Sequence, residues 1–375
     1  MVTIIIDVQA GSGGKGKVAA YLALEDQPDI VAASFGPNAG HTVYHKGHKL
    51  IFRHLPAGSV WKDAEIIIGA SAVIDLAVLE AEIEMLEKAG VMVRDRLLIH
   101  PRAVVIQECD RENEAALLRG ISSTMKGVGS AQARKVMRTA KLAGDFLTLR
   151  NFTEPYNNWR ISDALAEGRE VQIETSQGFD LCINHGVSYP FCTSRQINAS
   201  QVLADFALPP STRTEVVGVV RPFPIRVGNI SETETSGPYA DDSKETTWEQ
   251  IAKDAGMSPK GYADLLEQEK TTVTQRQRRV FTFSFNRFRR FCDVNDPAYI
   301  ALNFADQIDW TDRGLSAKTR IRDLNWSLIS QKTRDFIERL DACWDFEGAK
   351  YGDDPYAGVK LVGTGPGIEQ VVDLR

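Results

Sequence analysis

Short apolar runs alternate with amphipathic stretches along the first hundred residues. The run "VTIIIDV" is rich in β-branched residues and predicts a strand, and "KVAAYLAL" predicts a helix soon after it. "EIIIGASAVI" predicts a second strand and its exit. A helix with Gly90 as its C-cap should follow, with an apolar face formed by Leu79, Ile83 and Leu86. This alternation predicts an α/β fold on a sheet of mostly parallel strands.

The second half of the chain contains further strands and helices. "REVQIETSQG" and "RTEVVGVVRPFPIRVG" predict strands that enter glycine turns, whereas residues 228–245 are polar and acidic and predict a long surface loop. Thr247 and Gln250 have the spacing of a capping box at the start of a helix that Gly256 ends.

The C-terminal part contains one aromatic alternation and one helical pattern. Phe281, Phe283 and Phe285 alternate and predict a strand with a buried face. An amphipathic helix is predicted from Ile329, Phe336, Ile337 and Leu340. The sequence has no internal repeat, low-complexity tract or clear linker, and its composition does not decide between one and three domains.

Composition narrows the class of protein. Hydrophobic residues make up 43% and charged residues 25% of the chain, as in ordinary globular proteins. The net charge of -6 disfavours a protein that coats nucleic acid, because phosphate contacts need concentrated positive charge. The 5 cysteines form no C-x-x-C pair, which indicates neither a zinc site nor a disulfide framework. We expect a cytoplasmic protein without a membrane span, since the longest apolar run is interrupted by Asp75.

The loop "GSGGKGK" (11–17) has the composition of a phosphate site. Its glycines allow a tight turn that aims several N–H groups at an anion, and its two lysines and the following helix add positive charge. The spacing is not that of a Walker loop, and a purely structural turn is the alternative. A second turn, "PNAGHT" (37–42), follows another short apolar run, which predicts a site at the C-terminal edge of a parallel sheet.

These motifs resemble those of the adenylosuccinate synthetases. The family motifs "GDEGKGK" and "HNAGHT" are similar to the two loops above, and the resemblance continues almost to the C-terminus. Further similar stretches are "HLPAGSV", "SSTMKGVGSA", "NHGVSYPFCTS", "TVTQRQRR" and "GTGP". The resemblance implies a single large α/β domain over residues 1–375. It also implies a homodimer that joins aspartate to C6 of a purine nucleotide, with Mg²⁺ as cofactor. The 6-oxygen first attacks the γ-phosphate of a triphosphate, and the aspartate amine then displaces phosphate.

Two positions depart from the family pattern. Ser12 stands where the family has the acid that acts as the base on N1 and as a magnesium ligand. Serine leaves room for the 2-amino group of guanine, so the chain resembles the bacteriophage branch, the N6-succino-2-amino-2'-deoxyadenylate synthases, which use dGMP. "NFAD" (303–306) stands where cellular members have "TKLD", and Phe304 in place of lysine favours ATP or dATP over GTP.

The resemblance also implies the roles of individual residues. Catalytic roles fall on Ser12, Lys15, His41 and Gln177. The nucleotide contacts are Ser12, Asn38, Ser123, Thr124, Gln177, Thr193 and Val227, with Arg138 crossing from the partner subunit. The ATP contacts are Gly13, Gly14, Lys15, Gly16, Lys17, Asn303, Asp306, Thr364 and Gly365. L-Aspartate falls to Val273, Thr274, Arg276 and Arg278, and the metal to Ser12 and the carbonyl of Gly40.

Three other functions remain open from the sequence. The chain could be an ordinary adenylosuccinate synthetase that acts on IMP, with serine as a local variant. It could also be an inactive purine-nucleotide-binding homologue. The segment "RQRRVFTFSFNRFRRF" (276–291) could instead bind nucleic acid, although guanidinium groups here also suit the carboxylates of aspartate.

Overall fold

The centre of the computed structural model is a nine-stranded sheet with parallel neighbours except at one edge, where the last two strands are antiparallel. The structure describes residues 1–121, 123–157, 159–231, 234–271, 275–317, 322–344 and 358–375. In spatial order the strands are β16 (Val371–Asp373), β15 (Val359–Gly363), β14 (Tyr299–Leu302), β10 (Thr214–Val220), β1 (Val2–Asp7), β9 (Val171–Glu174), β2 (Ile30–Ala33), β5 (Glu65–Ile68) and β7 (Leu97–Ile99).

Smaller sheets and helices surround this sheet. The smaller sheets pair β3 (His41–His45) with β4 (His48–Phe52), β6 (Val73–Ile74) with β8 (Val104–Val105), and β13 (Arg279–Phe281) with both β11 (Ile225–Arg226) and β12 (Glu245–Thr246). The α-helices are α1 (Lys15–Asp26), α2 (Leu76–Lys88), α3 (Glu108–Leu117), α4 (Val128–Val136), α5 (Arg150–Thr153), α6 (Arg160–Ala166), α7 (Ala199–Asp205), α8 (Trp248–Ala255), α9 (Pro259–Gln268), α10 (Phe285–Asn295), α11 (Arg322–Leu328) and α12 (Gln331–Trp344).

Both faces of the central sheet are buried. Ile5 of β1 packs in one apolar cluster with residues of α1 and α2, whereas Ile4 and Ile6 pack in a second cluster with residues of α10 and α12. Successive strand residues point to opposite faces, so a strand covered on both sides must be apolar throughout. The central residues of β1, Ile4 to Ile6, meet that demand, and the predicted α/β class on a mostly parallel sheet is confirmed.

Local signals placed most of the elements correctly. Gly90 follows α2 with a left-handed φ of 82°. At α8, the Thr247 side chain accepts the N–H of Gln250 at 3.1 Å, and Gly256 ends the helix with φ 73°. The reciprocal half of the expected capping box is absent from this described segment, because the Gln250 amide donates to Asp254 Oδ1 at 2.7 Å.

The strand predicted through the alternating phenylalanines is wrong beyond Phe281. β13 ends there, and α10 begins at Phe285, because the Ser284 side chain caps it by accepting the N–H of Arg287 at 3.1 Å. Phe288 is buried within this helix. The helical spacing of the later apolar residues thus prevails over the short alternation before them.

The segment expected as a surface loop is partly buried. Its described residues, 228–231 and 234–244, form no regular element. Ser236 and Tyr239 are nevertheless buried, and the Tyr239 hydroxyl donates to Asp180 Oδ2 at 2.7 Å. The polar residues of this segment therefore include buried hydrogen-bonding groups as well as exposed ones.

In the described part of the chain no helix combines the length and apolar character that crossing a membrane requires.

Candidate active site

The phosphate loop connects β1 to α1 through a compressed turn. Gly11, Ser12 and Gly14 all have left-handed backbones, with φ of 85°, 57° and 84°. Ser12 adopts a conformation that is costly for a residue with a Cβ. At the start of α1, a Cβ added at Gly16 would lie 2.7 Å from the Cβ of His41, so only glycine lets the helix approach that histidine.

A cleft of about 650 Å³ opens at the C-terminal edge of the parallel strands, beside this loop. Ligands bind at this edge in open α/β sheets. The cleft brings together most of the residues predicted from the sequence: Ser12, Gly14, Lys15, Gly16, Lys17, Asn38, Gly40, His41, Ser123, Thr124, Gln177, Thr193, Val227, Arg278, Asn303, Asp306 and Gly365.

The other predicted site residues lie elsewhere. Gly13 donates its N–H to Asp7, and Thr364 is buried with its hydroxyl donating to the carbonyl of Leu315 at 2.5 Å. Arg276 is half-buried outside the cleft lining, and Arg138 is exposed. The two remaining predicted positions, Val273 and Thr274, lie outside the described residues.

A buried histidine–carboxylate pair interacts electrostatically with Lys15. His41 Nδ1 lies 2.7 Å from Glu174 Oε1, and Glu174 Oε2 accepts the N–H of Ala57 at 2.7 Å. Burial lowers the pKa of His41, the charge of Lys15 lowers it further, and Glu174 opposes both. Burial also lowers the pKa of Lys15, against Asp7 and Glu174, which raise it. Burial and Lys15 therefore favour the neutral form of His41, whereas Asp7 and Glu174 favour the charged form of Lys15 against the effect of burial.

Gln177 presents an unsatisfied amide to the cleft. Its backbone is left-handed, with φ 56°, and its side-chain oxygen is buried without a hydrogen-bond partner among the described residues. A buried polar atom without a partner is costly, and a bound substrate would satisfy it.

Two side chains hold the phosphate loop against its neighbours. Lys17 Nζ donates to the carbonyls of Gly365 and Gln370, both at 2.7 Å. Asn303, which follows β14, donates to the carbonyls of Gly13 at 2.9 Å and Gly14 at 3.2 Å. The loop, β14 and the turn after β15 therefore form one connected wall of the cleft.

Asp306 and Phe304 also line the cleft. Asp306 Oδ2 pairs with Arg313, whereas its Oδ1 is buried without a partner within the described chain. Burial raises the pKa of Asp306, and Arg313 and Lys17 oppose this shift. The Phe304 ring lines the cleft, and the Arg221 guanidinium carbon lies 4.4 Å from its centroid.

Sequence reasoning missed a buried network around Glu269. Arg221 is fully buried, and its guanidinium donates to Glu269 at 2.5 Å and to the carbonyl of Ser12 at 3.2 Å. Arg278 pairs with the other oxygen of Glu269 at 3.2 Å. An arginine directly after the buried strand "TEVVGVV" was the available signal, because arginine is rarely fully buried unless it is paired. Glu174 was missed in the same way, as the last residue of β9.

The cleft offers oxygen donors for a hard cation. Among the described residues, no group of three or more His, Cys, Asp or Glu side chains could hold a metal. Ser12 and Gly40 both line the cleft and carry the hydroxyl and carbonyl oxygens that suit Mg²⁺. This donor set fits a cation that is bound mostly by substrate phosphates.

Comparisons with known proteins identify the family. The model of the adenylosuccinate synthetase family matches residues 4–160 and 157–313. The adenylosuccinate synthetase of Methanocaldococcus jannaschii is 33% identical over 378 residues, which cover 100% of this chain and 96% of that protein. That of Pyrococcus sp. is 34% identical over 382 residues, with 99% and 98% covered. The chain therefore belongs to the adenylosuccinate synthetase family, and it is a ligase that forms a carbon–nitrogen bond.

Solved structures place it within the same fold. The succinoaminodeoxyadenylate synthetase of cyanophage S-2L, bound to dGMP and to dATP as an energy donor, superposes with a TM-score of 0.78 at 30% identity and covers 100% of this chain and 95% of its own. The fully ligated adenylosuccinate synthetase of Plasmodium falciparum superposes with a TM-score of 0.76 at 19% identity, with 99% of each chain covered, which indicates the shared fold.

Proposed function

We propose that the chain condenses dGMP with L-aspartate at the expense of ATP or dATP. The 6-oxygen of dGMP attacks the γ-phosphate as N1 loses its proton, and the nucleoside diphosphate leaves. The aspartate amine then attacks C6, and phosphate leaves with the 6-oxygen. The product is N6-succino-2-amino-2'-deoxyadenylate.

Ser12 is the observation that carries this proposal. It lines the cleft at the position where the family motif has an acid, and its left-handed backbone lies between Gly11 and Gly13. A carboxylate beside N1 would crowd the 2-amino group of guanine, whereas a serine hydroxyl is smaller and both donates and accepts hydrogen bonds. The likeness to the cyanophage enzyme, solved with dGMP and dATP, supports the same substrates.

Three cleft residues account for the phosphoryl transfer. Lys15, at the start of α1, neutralises charge that develops on the transferred group. Glu174 pairs with Nδ1 of His41, and Nε2 donates to the reacting oxygen when the ring carries a proton there. The free amide oxygen of Gln177 accepts from an N–H of the purine or the incoming amine.

Mg²⁺ would be held by the Ser12 hydroxyl, the Gly40 carbonyl and the phosphates. When bound, it supplies neutralisation of the negative charge of the triphosphate. Because Ser12 is neutral, the protein side of this site carries less charge than a carboxylate would give.

The side chains of Asp306 and Phe304 favour an adenine base in the triphosphate. One oxygen of Asp306 is taken by Arg313, which leaves a single buried acceptor. Adenine presents one amino donor on its outer edge, whereas guanine presents two adjacent donors that would engage both carboxylate oxygens. The Phe304 ring offers a face on which the base can pack.

The monophosphate and aspartate fall to the remaining predicted residues. Ser123 and Thr124 offer hydroxyls to the 5'-phosphate, and Arg278 offers a guanidinium to an aspartate carboxylate. Arg138 is exposed on its own chain, next to the exposed apolar Val136 and Met137. A second copy of the chain seated on this face would bury the apolar residues and bring Arg138 to the partner's phosphate site, which gives a homodimer.

A substrate panel tests the proposed reaction. The enzyme is incubated with Mg²⁺, aspartate and ATP or dATP, plus dGMP, GMP or IMP, and the succinylated product is detected by mass. We expect the product from dGMP. A product from IMP alone would establish the ordinary adenylosuccinate synthetase reaction that the curated relatives catalyse. No phosphate release with any purine would indicate an inactive nucleotide-binding homologue.

A further inference from the structure

A fully buried carboxylate lies directly beneath the phosphate loop. Asp7 is the last residue of β1. Its Oδ1 accepts the N–H of Gln9 at 3.0 Å and its Oδ2 accepts the N–H of Gly13 at 2.7 Å. One side chain therefore ties together the two ends of the loop that holds Ser12.

Asp7 also explains the glycine at position 13. A Cβ added to Gly13 would lie 2.7 Å from Asp7 Oδ2 and 3.0 Å from Asp7 Cγ. Atoms cannot approach so closely without a shift, and the carboxylate is fixed by two hydrogen bonds. Position 13 therefore requires glycine because a side chain would collide with the Asp7 carboxylate, and not because of its backbone conformation.

Asp7 and Lys15 interact electrostatically at the base of the loop, because burial raises the pKa of Asp7 and Lys15 opposes that shift. Asp7 raises the pKa of Lys15 against the effect of burial, as Glu174 does from the other side. The family motif carries acids at the positions of Ser12 and Gly13, whereas this chain carries its acid below them. Asp7 is not part of the cleft lining.

We propose that Asp7 is a positioning residue for the ligase reaction. From beneath the loop, it holds Ser12 in its left-handed conformation at the cleft through its hydrogen bonds to Gln9 and Gly13, so that the loop works without an acid on its upper surface. It contacts no reacting atom. The inference rests on the proposed function only because the ligase reaction is the activity that is measured. The kcat assay can use whichever purine nucleotide the parent enzyme turns over.

The first test replaces the charge but keeps the size. In Asp7→Asn one side-chain atom becomes an N–H donor facing a backbone N–H, so the loop must shift. We expect kcat at saturating substrate to fall by about 10–100-fold, the scale of a small misplacement of catalytic groups, while KM for aspartate stays within about threefold. A folded Asp7→Asn enzyme with kcat within about threefold of the parent would overturn the proposal.

Glu82 provides the matched control. It is also buried and accepts loop N–H groups, those of Arg53, His54 and Leu55, but it lies outside the cleft lining. Glu82→Gln should lower the melting temperature and leave kcat unchanged. An equal loss of kcat in both variants would mean that general loosening of the fold explains the effect, which also overturns the proposal.

A second pair of variants examines the contact from the side of the loop. Gly13→Ala should lower kcat at least about tenfold in the parent, because its Cβ collides with the carboxylate. In the Asp7→Ala background the same change should cost less than about threefold, since the carboxylate is gone. An equal cost in both backgrounds, or none in the parent, would contradict the coupling of these two positions. This cycle also decides the matter if Asp7→Asn does not fold.

Discussion

The two lysines of the phosphate loop differ in the groups that interact with their side chains. Lys15 lies between the carboxylates of Asp7 and Glu174, whereas Lys17 is held mainly by the carbonyls of Gly365 and Gln370. Burial lowers the pKa of Lys17 to about 7, and Asp306 and Glu369 only partly oppose this. Lys17 is therefore the loop group that titrates near neutral pH.

This pKa predicts how triphosphate binding depends on pH. A polyanion favours the charged form of Lys17, so the protonated enzyme binds it more tightly. KM for the triphosphate should be constant below pH 7 and rise above it by up to about tenfold per pH unit. Initial rates between acid and alkaline pH measure this dependence.

Lys17→Arg is the control for that measurement, because a guanidinium stays charged throughout this range. The ionisation of the triphosphate itself is common to both enzymes and cancels in the comparison. If KM rises equally in the parent and in Lys17→Arg, Lys17 is not the titrating group.

For individual residues, the sequence predicted the side chains that line the cleft better than the buried side chains that support them. Lys15, His41 and Gln177 lie in recognisable motifs, and all of them line the cleft. Arg221 and Glu269 are far apart in the chain and meet only because β10 ends near the loop before β13. Pairing of buried charges between distant segments leaves no local pattern in the sequence.

Among the elements, α10 shows how a cap decides between two patterns. Ser284 accepts the N–H of Arg287, and its hydroxyl donates to Asp242 at 2.5 Å. Strand alternation across the phenylalanines was the stronger local signal in the sequence. The structure ends that strand early because the later apolar residues, Phe288 and Phe291, pack at helical spacing in the core.

Ser284→Ala should therefore destabilise the protein without affecting catalysis. Loss of an N-cap side chain costs about 0.5–2 kcal/mol of the free energy of unfolding. Urea unfolding measures this value, and kcat should be unchanged because α10 lies outside the cleft lining. Thr247→Ala removes the cap of α8 and should have a similar effect. An unchanged unfolding midpoint for Ser284→Ala would contradict the role of Ser284 as a cap.

At the scale of the whole molecule, the account requires two subunits for each complete site. The cleft of one chain contains Lys15 but not Arg138, which is exposed on the outer surface. The exposed apolar side chains of Val136 and Met137 lie beside this arginine, and the proposed homodimer would cover them.

Mixing two inactive variants tests this arrangement. Lys15→Ala should inactivate the cleft of the chain that carries the substitution. Arg138→Ala should instead weaken the cleft of the partner subunit, because a charge-assisted phosphate contact contributes roughly 1.5–3 kcal/mol. Random pairing of equal amounts should restore about a quarter of the parent activity, because half of the dimers carry one intact site of two. Dimers that exchange subunits but recover no activity would contradict a shared site.

Whether Ser12 selects the purine is decided by the ratio of kcat/KM for dGMP to kcat/KM for IMP. This ratio is measured in the parent, Ser12→Asp and Ser12→Ala. The parent should favour dGMP. Ser12→Asp should lower the ratio by about 10–200-fold, the usual discrimination for one misfitting group, because the carboxylate crowds the 2-amino group and restores a base for IMP. Ser12→Ala, which keeps the space, should still favour dGMP. A parent that favours IMP, or a ratio that Ser12→Asp leaves unchanged, would show that Ser12 does not select the purine.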